Sequence, residues 1–97
     1  MIRFMNDMKD EQERLVVAVK DVLDSRYYEV LYVTAKTHVT KEGESTDSYY
    51  LDALAVQHSG KSAMVEHINI HIFNGEVFKS NTNCYITEAI NEAIKAL

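Results

Sequence analysis

The sequence predicts a two-layer α+β domain: a three- to four-stranded antiparallel β-meander flanked by an N-terminal and a C-terminal helix, in the order α-β-β-β-(β)-α. Three observations carry this expectation. Apolar residues recur at helical spacing near both ends of the chain, over residues 7–26 and 84–97. Between these stretches, apolar and polar residues alternate with the period of a strand. The three glycines, Gly43, Gly60 and Gly75, each fall in a polar cluster between such segments and mark successive turns.

In the first helix, Met8, Leu15, Val16, Val19, Val22 and Leu23 lie within an arc of about 120° at about 100° per residue. Asn6 or Asp7 is placed to cap it, and Asp10 followed by Glu13 offers an alternative start. The acids of the first turns suit the positive end of the helix dipole.

Residues 29–40 alternate, with Leu31, Val33, Ala35 and Val39 on one side and Tyr32, Thr34, Lys36 and His38 on the other. Residues 62–73 alternate likewise, with Met64, Ile68, Ile70 and Ile72 opposite His67, Asn69 and His71. Residues 47–57 lie between them and are apolar on both parities: Tyr49, Leu51, Ala53 and Ala55 on one, Tyr50, Leu54 and Val56 with Asp52 on the other. A strand of that kind sits in the middle of a meander. Asn74-Gly75 suits a two-residue type I′ hairpin, after which a short fourth strand is expected near Val77 and Phe78.

The last helix is read from Ile86, Ala89, Ile90, Ala93, Ile94 and Leu97, with Thr87, Glu88, Asn91, Glu92 and Lys95 opposite. Ser80-Asn81-Thr82-Asn83 supplies its caps.

With 97 residues and no linker or repeat, the chain is expected to form one domain over 1–97. Hydrophobic residues at 46% and charged residues at 26% describe a globular protein. No apolar run approaches the roughly 18 residues of a membrane span, and no signal-peptide core precedes the first acids. A cytoplasmic chain without a membrane partner is the expectation. A single cysteine, Cys84, forms no internal disulfide. The net charge of −5 works against direct binding of nucleic acid.

Familiar chemistries fail on spacing. Gly60-Lys61-Ser62 resembles the end of a phosphate-binding loop, but Ala55 stands where another glycine is needed, and a strand rather than a helix follows. His67 and His71 have the spacing of a metal pair on a helix, yet on a strand they lie about 13 Å apart. Cys84 opens a helix but has no histidine near it in sequence to serve as a base. No catalytic residue, metal site or cofactor is therefore expected. The order of elements resembles the double-stranded-RNA-binding domain, but the matching stretch, Ser80 to Tyr85, lacks that family's lysine cluster.

The acids are organised. Asp10, Glu13, Asp21 and Asp24, with Asp7, lie opposite the apolar stripe of the first helix, interrupted by Arg14 and Val17. Glu42, Glu44 and Asp47 form a second cluster around the first turn. Surface acids commonly serve solubility alone. Carboxylates on a rigid frame can also occupy a groove built for phosphates.

In size, acidity and compact α+β build, and in lacking a catalytic set, the chain resembles the small anti-CRISPR proteins of phages and mobile elements, in particular those that imitate DNA against a type I surveillance complex. That resemblance implies a non-enzymatic inhibitor that blocks a basic DNA-binding surface, with the two acidic clusters as the partner-binding residues. An alternative expectation is a homodimeric assembly protein. It would use the sheet face opposite the helices, which should show Tyr32, His38, Tyr50, Leu54, Val56, His67 and Phe73.

Overall fold

The computed structural model describes residues 5–39 and 45–97, with side chains at 10–37 and 48–97. Helix α1 (Met5–Ser25) is followed by β1 (Tyr28–Val39), β2 (Ser45–Ser59), β3 (Ser62–Phe73) and β4 (Glu76–Ser80), and then by α2 (Cys84–Lys95). The strands form one antiparallel sheet in the order β1-β2-β3-β4. This is the expected α+β meander with its fourth strand present. The first helix starts earlier than its candidate caps implied. Asn6, Asp7 and Asp10 lie inside α1, because no glycine or proline interrupts the helix ahead of them.

Both remaining turn signals read from the sequence close hairpins. Asn74 (φ 52°) and Gly75 (φ 77°) both take the left-handed conformation that a type I′ turn demands, with Phe73 opposite Glu76. Gly60 has φ 60° and joins Ser59 to Ser62 through Lys61, whose φ is not positive, the combination of a type II′ turn. Gly43 lies outside the described residues.

One layer of helices covers one face of the sheet: α1 packs on β1 and α2 lies beside it along β4. The core joins Leu15, Val19 and Leu23 of α1 to Ile86, Ile90 and Ile94 of α2. Beneath them lie Tyr49, Leu51, Ala53 and Ala55 of β2 and Ile68, Ile70 and Ile72 of β3. Asn83 caps α2, its side-chain oxygen accepting from the Ile86 N–H at 2.9 Å.

Three residues depart from the simple periodic reading. Leu31 is 52% exposed, because a bulge at this point makes it the extra residue on β1. The bulge shifts the parity, so Tyr28 and Val30 face the helices in its place. Met64 is 63% exposed although it shares the parity of Ile68. The β2–β3 hairpin runs on past the helices, so its outer residues have nothing to pack against. Leu97 is 61% exposed, because α2 ends at Lys95 and the apolar stripe outlasts the helix.

The long hairpins set the shape. Fifteen residues of β2 span about 50 Å at about 3.3 Å per residue, and the molecule measures 52 × 21 × 21 Å. Its radius of gyration is 14.2 Å, above the roughly 12.5 Å of a rounder chain of this length.

Candidate functional site

The fold presents two chemically different surfaces. On the first, the uncovered face of the sheet, β2 and β3 place Tyr50 beside His71, Asp52 beside Asn69, Leu54 beside His67 and Val56 beside Val65. β1 adds Lys36, Thr34, Tyr32 and Glu29 across from Tyr50, Asp52, Leu54 and Val56.

One end of this face is aromatic. His71 stacks on Tyr50 at 4.4 Å between ring centroids and meets the edge of Phe78 at 5.4 Å. Phe78 also touches Phe73 at 6.5 Å. Beneath these rings the buried hydroxyl of Ser48 bonds His71 Nε2 at 2.9 Å. The opposite end is aliphatic, with Leu54, Val56 and Val65. The middle is polar. His67 Nε2 bonds the Asp52 carboxylate, and the Tyr32 hydroxyl donates to its other oxygen at 3.4 Å. Desolvation, followed by the charge of Asp52 and the hydrogen bond to it, raises the Tyr32 pKa above its ordinary value.

The face read from the sequence is therefore present through Tyr32, Tyr50, Leu54, Val56, His67 and Phe73, and the His38 side chain lies outside the described residues. Phe78 was missed, because a register shift between His71 and Ile72 makes it the extra residue on β4, between Val77 opposite Ile72 and Lys79 opposite His71, so that simple alternation does not place its ring against His71. Asp52 was legible as the one acid in an otherwise apolar run from Tyr49 to Val56, but its bonds to Tyr32 and His67 depend on strand register.

The second surface is the outer side of the helical layer. Asp10, Glu13, Asp21 and Asp24 are all exposed. With Val17 they follow a spacing of three and four residues that keeps them on one stripe of α1. An open recess of about 460 Å³ lies along this stripe, lined by Asp10, Glu13, Arg14, Val17 and Leu97. On the neighbouring α2, Glu88 and Glu92 are exposed as well. Of the second acidic cluster, Glu42, Glu44 and the side chain of Asp47 lie outside the described residues.

His67 and His71 lie on an unbroken strand, as their alternation implied, and no group of three metal-ligating side chains occurs among the described residues. Cys84 is exposed at the first position of α2. A second open recess, of about 230 Å³, is lined by Glu66, His67, Ile68, Asn81, Thr82 and Asn83. Among the described residues, no helix is long and apolar enough to cross a membrane. Compared with protein-family models, curated proteins and solved structures, the chain matches none.

Proposed function

We propose that this chain is a non-enzymatic inhibitor whose acidic helical layer occupies a basic, DNA-binding surface of a prokaryotic nucleic-acid-processing complex, in the manner of the DNA-imitating anti-CRISPR proteins. The observation that carries this reading is the stripe of exposed carboxylates on α1, Asp10, Glu13, Asp21 and Asp24. The stripe runs about 21 Å along the helix at about 1.5 Å per residue. That length matches about six base-pair steps of a duplex at about 3.4 Å each.

A carboxylate accepts charge-assisted hydrogen bonds from lysine and arginine much as a phosphate does. A groove that has evolved to hold phosphates can therefore hold these acids without being offered a strand to cleave or pair. The helix keeps the acids at fixed spacing because its inner side is locked into the core through Leu15, Val19 and Leu23. Little ordering entropy is then lost on binding. Glu88 and Glu92 extend the acidic field onto the neighbouring helix.

The test is affinity capture from a prokaryotic lysate at low salt, repeated at high salt and with duplex DNA as competitor. Salt shortens the Debye length from about 10 Å at 0.1 M to about 3 Å at 1 M, so the captured complex should be released by salt and displaced by DNA. Replacing Asp10, Glu13, Asp21 and Asp24 together by lysine should abolish capture, since losing one partner of a close interfacial charge pair costs about 2–5 kcal/mol. Undiminished capture by this variant, or a partner that holds DNA and this chain at once, refutes the reading.

A further inference from the structure

We infer that the uncovered sheet face is a self-association surface, and that its occupant is a second copy of this chain packed face to face with its strands running in the opposite direction. The surface is distinct from the acidic helical layer and does not depend on the function proposed for that layer.

The first argument is the exposure. Tyr50, Phe73 and Phe78 at one end of this face are 45%, 46% and 70% exposed, and Val65 at the other end is 60% exposed. Sheets in two-layer folds leave one face to solvent when that face is polar, and contiguous apolar patches on a monomer usually mark a contact surface.

The second argument is charge, and it selects both the occupant and the geometry. Lys36 and Lys79 stand at the aromatic end, flanking Tyr50 and His71 in one row across the sheet. Glu29 stands at the aliphatic end, beside Val56, with one carboxylate oxygen 2.8 Å from His58 Nε2 and the other open to a second cation. The Lys36 and Glu29 rows are separated by the six residue steps from Tyr50 to Val56, about 20 Å. Two copies of a face can meet about a two-fold axis in only two aligned ways. An axis along the strands lays β1 over β4 of the other copy and keeps each row facing itself, so Lys36 meets Lys79. Like charges brought together in this way repel.

An axis across the strands reverses the ends instead. Lys36 then lies over Glu29 of the second copy, twice by symmetry. Tyr50 covers Val56, and His71 with Phe78 covers Val65. The aromatic end of each copy fills against the aliphatic end of the other. At the middle, Asn69 meets His67 of the second copy, while Asp52 keeps the hydrogen bonds it already has to Tyr32 and His67. The dimer is a four-layer sandwich, helices outermost, with both acidic stripes facing solvent on opposite sides.

Sedimentation equilibrium over a micromolar to millimolar range tests this, with circular dichroism confirming that each variant is folded. The wild type should sediment as a concentration-dependent dimer. Val56→Arg, which places a charge against Tyr50 of the second copy, should leave only monomer. Lys36→Glu and Glu29→Lys should each weaken dimerisation at least tenfold, and the double reversal should restore it. A wild type that stays monomeric throughout the range overturns the inference. So does a dimer insensitive to Val56→Arg, or a double reversal no better than the single ones. Capture of the partner complex by folded, monomeric Val56→Arg would leave the acidic-layer function standing, so the two claims can fail separately.

Discussion

Tyr28 donates its phenolic hydroxyl to the Glu66 carboxylate at 2.8 Å, joining the start of β1 to β3 across 38 residues of sequence. The ring is 5% exposed and belongs to the core. Burial pushes its pKa up to about 12, and the hydrogen bond and the charge of Glu66 act in the same direction. The folded chain thus keeps this proton above pH 10, where the unfolded chain releases it. Stability from this group is fully present below pH 10 and is lost as pH rises from about 10 through about 12.

Over that window the wild type should lose up to about 2–3 kcal/mol that Tyr28→Phe does not, at about 1.4 kcal/mol per pH unit. Tyr28→Phe, which lacks the hydrogen bond, should be about 1 kcal/mol less stable at neutral pH. The two stability curves should therefore cross on the alkaline side. Urea denaturation of both proteins at several pH values would show the crossing, and parallel curves would refute it.

Ile90 is completely buried, with Ile86 and Ile94 one turn to either side on the same stripe of α2. Truncation to alanine removes three carbons from a packed site and should cost about 2–5 kcal/mol. For a domain whose whole stability is about 5–15 kcal/mol, that is a large share. The thermal midpoint should fall by at least about 8 °C, since 1 kcal/mol moves a chain of this size by about 4–8 °C. An unchanged midpoint would contradict the docking of α2 against α1 and β4.

What could be read from the sequence follows from the range of each signal. Asn74-Gly75 and Gly60 specify their turns through local φ preference alone, and the Ile86-Ile90-Ile94 stripe needs only the helical period. The expectation for Leu31 failed because alternation holds only while register holds. A single extra residue moves Tyr28 and Val30 into the positions that Leu31 was assigned. Met64 failed for a different reason: its parity is that of Ile68, but burial also requires a covering helix at that height along the strand. The aromatic cluster of Tyr50, His71 and Phe78 joins three strands, and its Phe78 depends on a second register shift. The acids of α1 were legible because exposure opposite an apolar stripe is itself a periodic property.

Tyr27 ends α1 with φ 67°, a left-handed conformation usually supplied by glycine at this position. Its side chain is 89% exposed, so no packing repays the strain. The left-handed conformation costs an ordinary residue about 1–2 kcal/mol, whereas glycine adds about 0.5–1 kcal/mol of chain entropy to be lost on folding. Tyr27→Gly should therefore stabilise the protein by about 0.5–1 kcal/mol and raise the thermal midpoint by a few degrees. A fall in the midpoint on calorimetry would show that the Tyr27 ring makes a contribution its exposure conceals.

Asn81 continues the sheet where β4 stops. Its side-chain oxygen accepts the Asn69 N–H at 2.8 Å and its side-chain nitrogen donates to the His67 carbonyl at 2.9 Å. Its backbone N–H donates to the Asn69 carbonyl at 3.2 Å. The amide thus satisfies groups of β3 that a longer β4 would otherwise have to pair. Replacement by alanine removes both side-chain bonds, each worth about 0.5–1.5 kcal/mol. At an exposed site, where water takes over, the sum should be about 1 kcal/mol. Aspartate keeps the acceptor and loses the donor, so Asn81→Asp should retain slow hydrogen exchange at the Asn69 amide while Asn81→Ala accelerates it. Equal protection of Asn69 in all three proteins would mean that the β3 edge is held by the backbone contact of residue 81 alone.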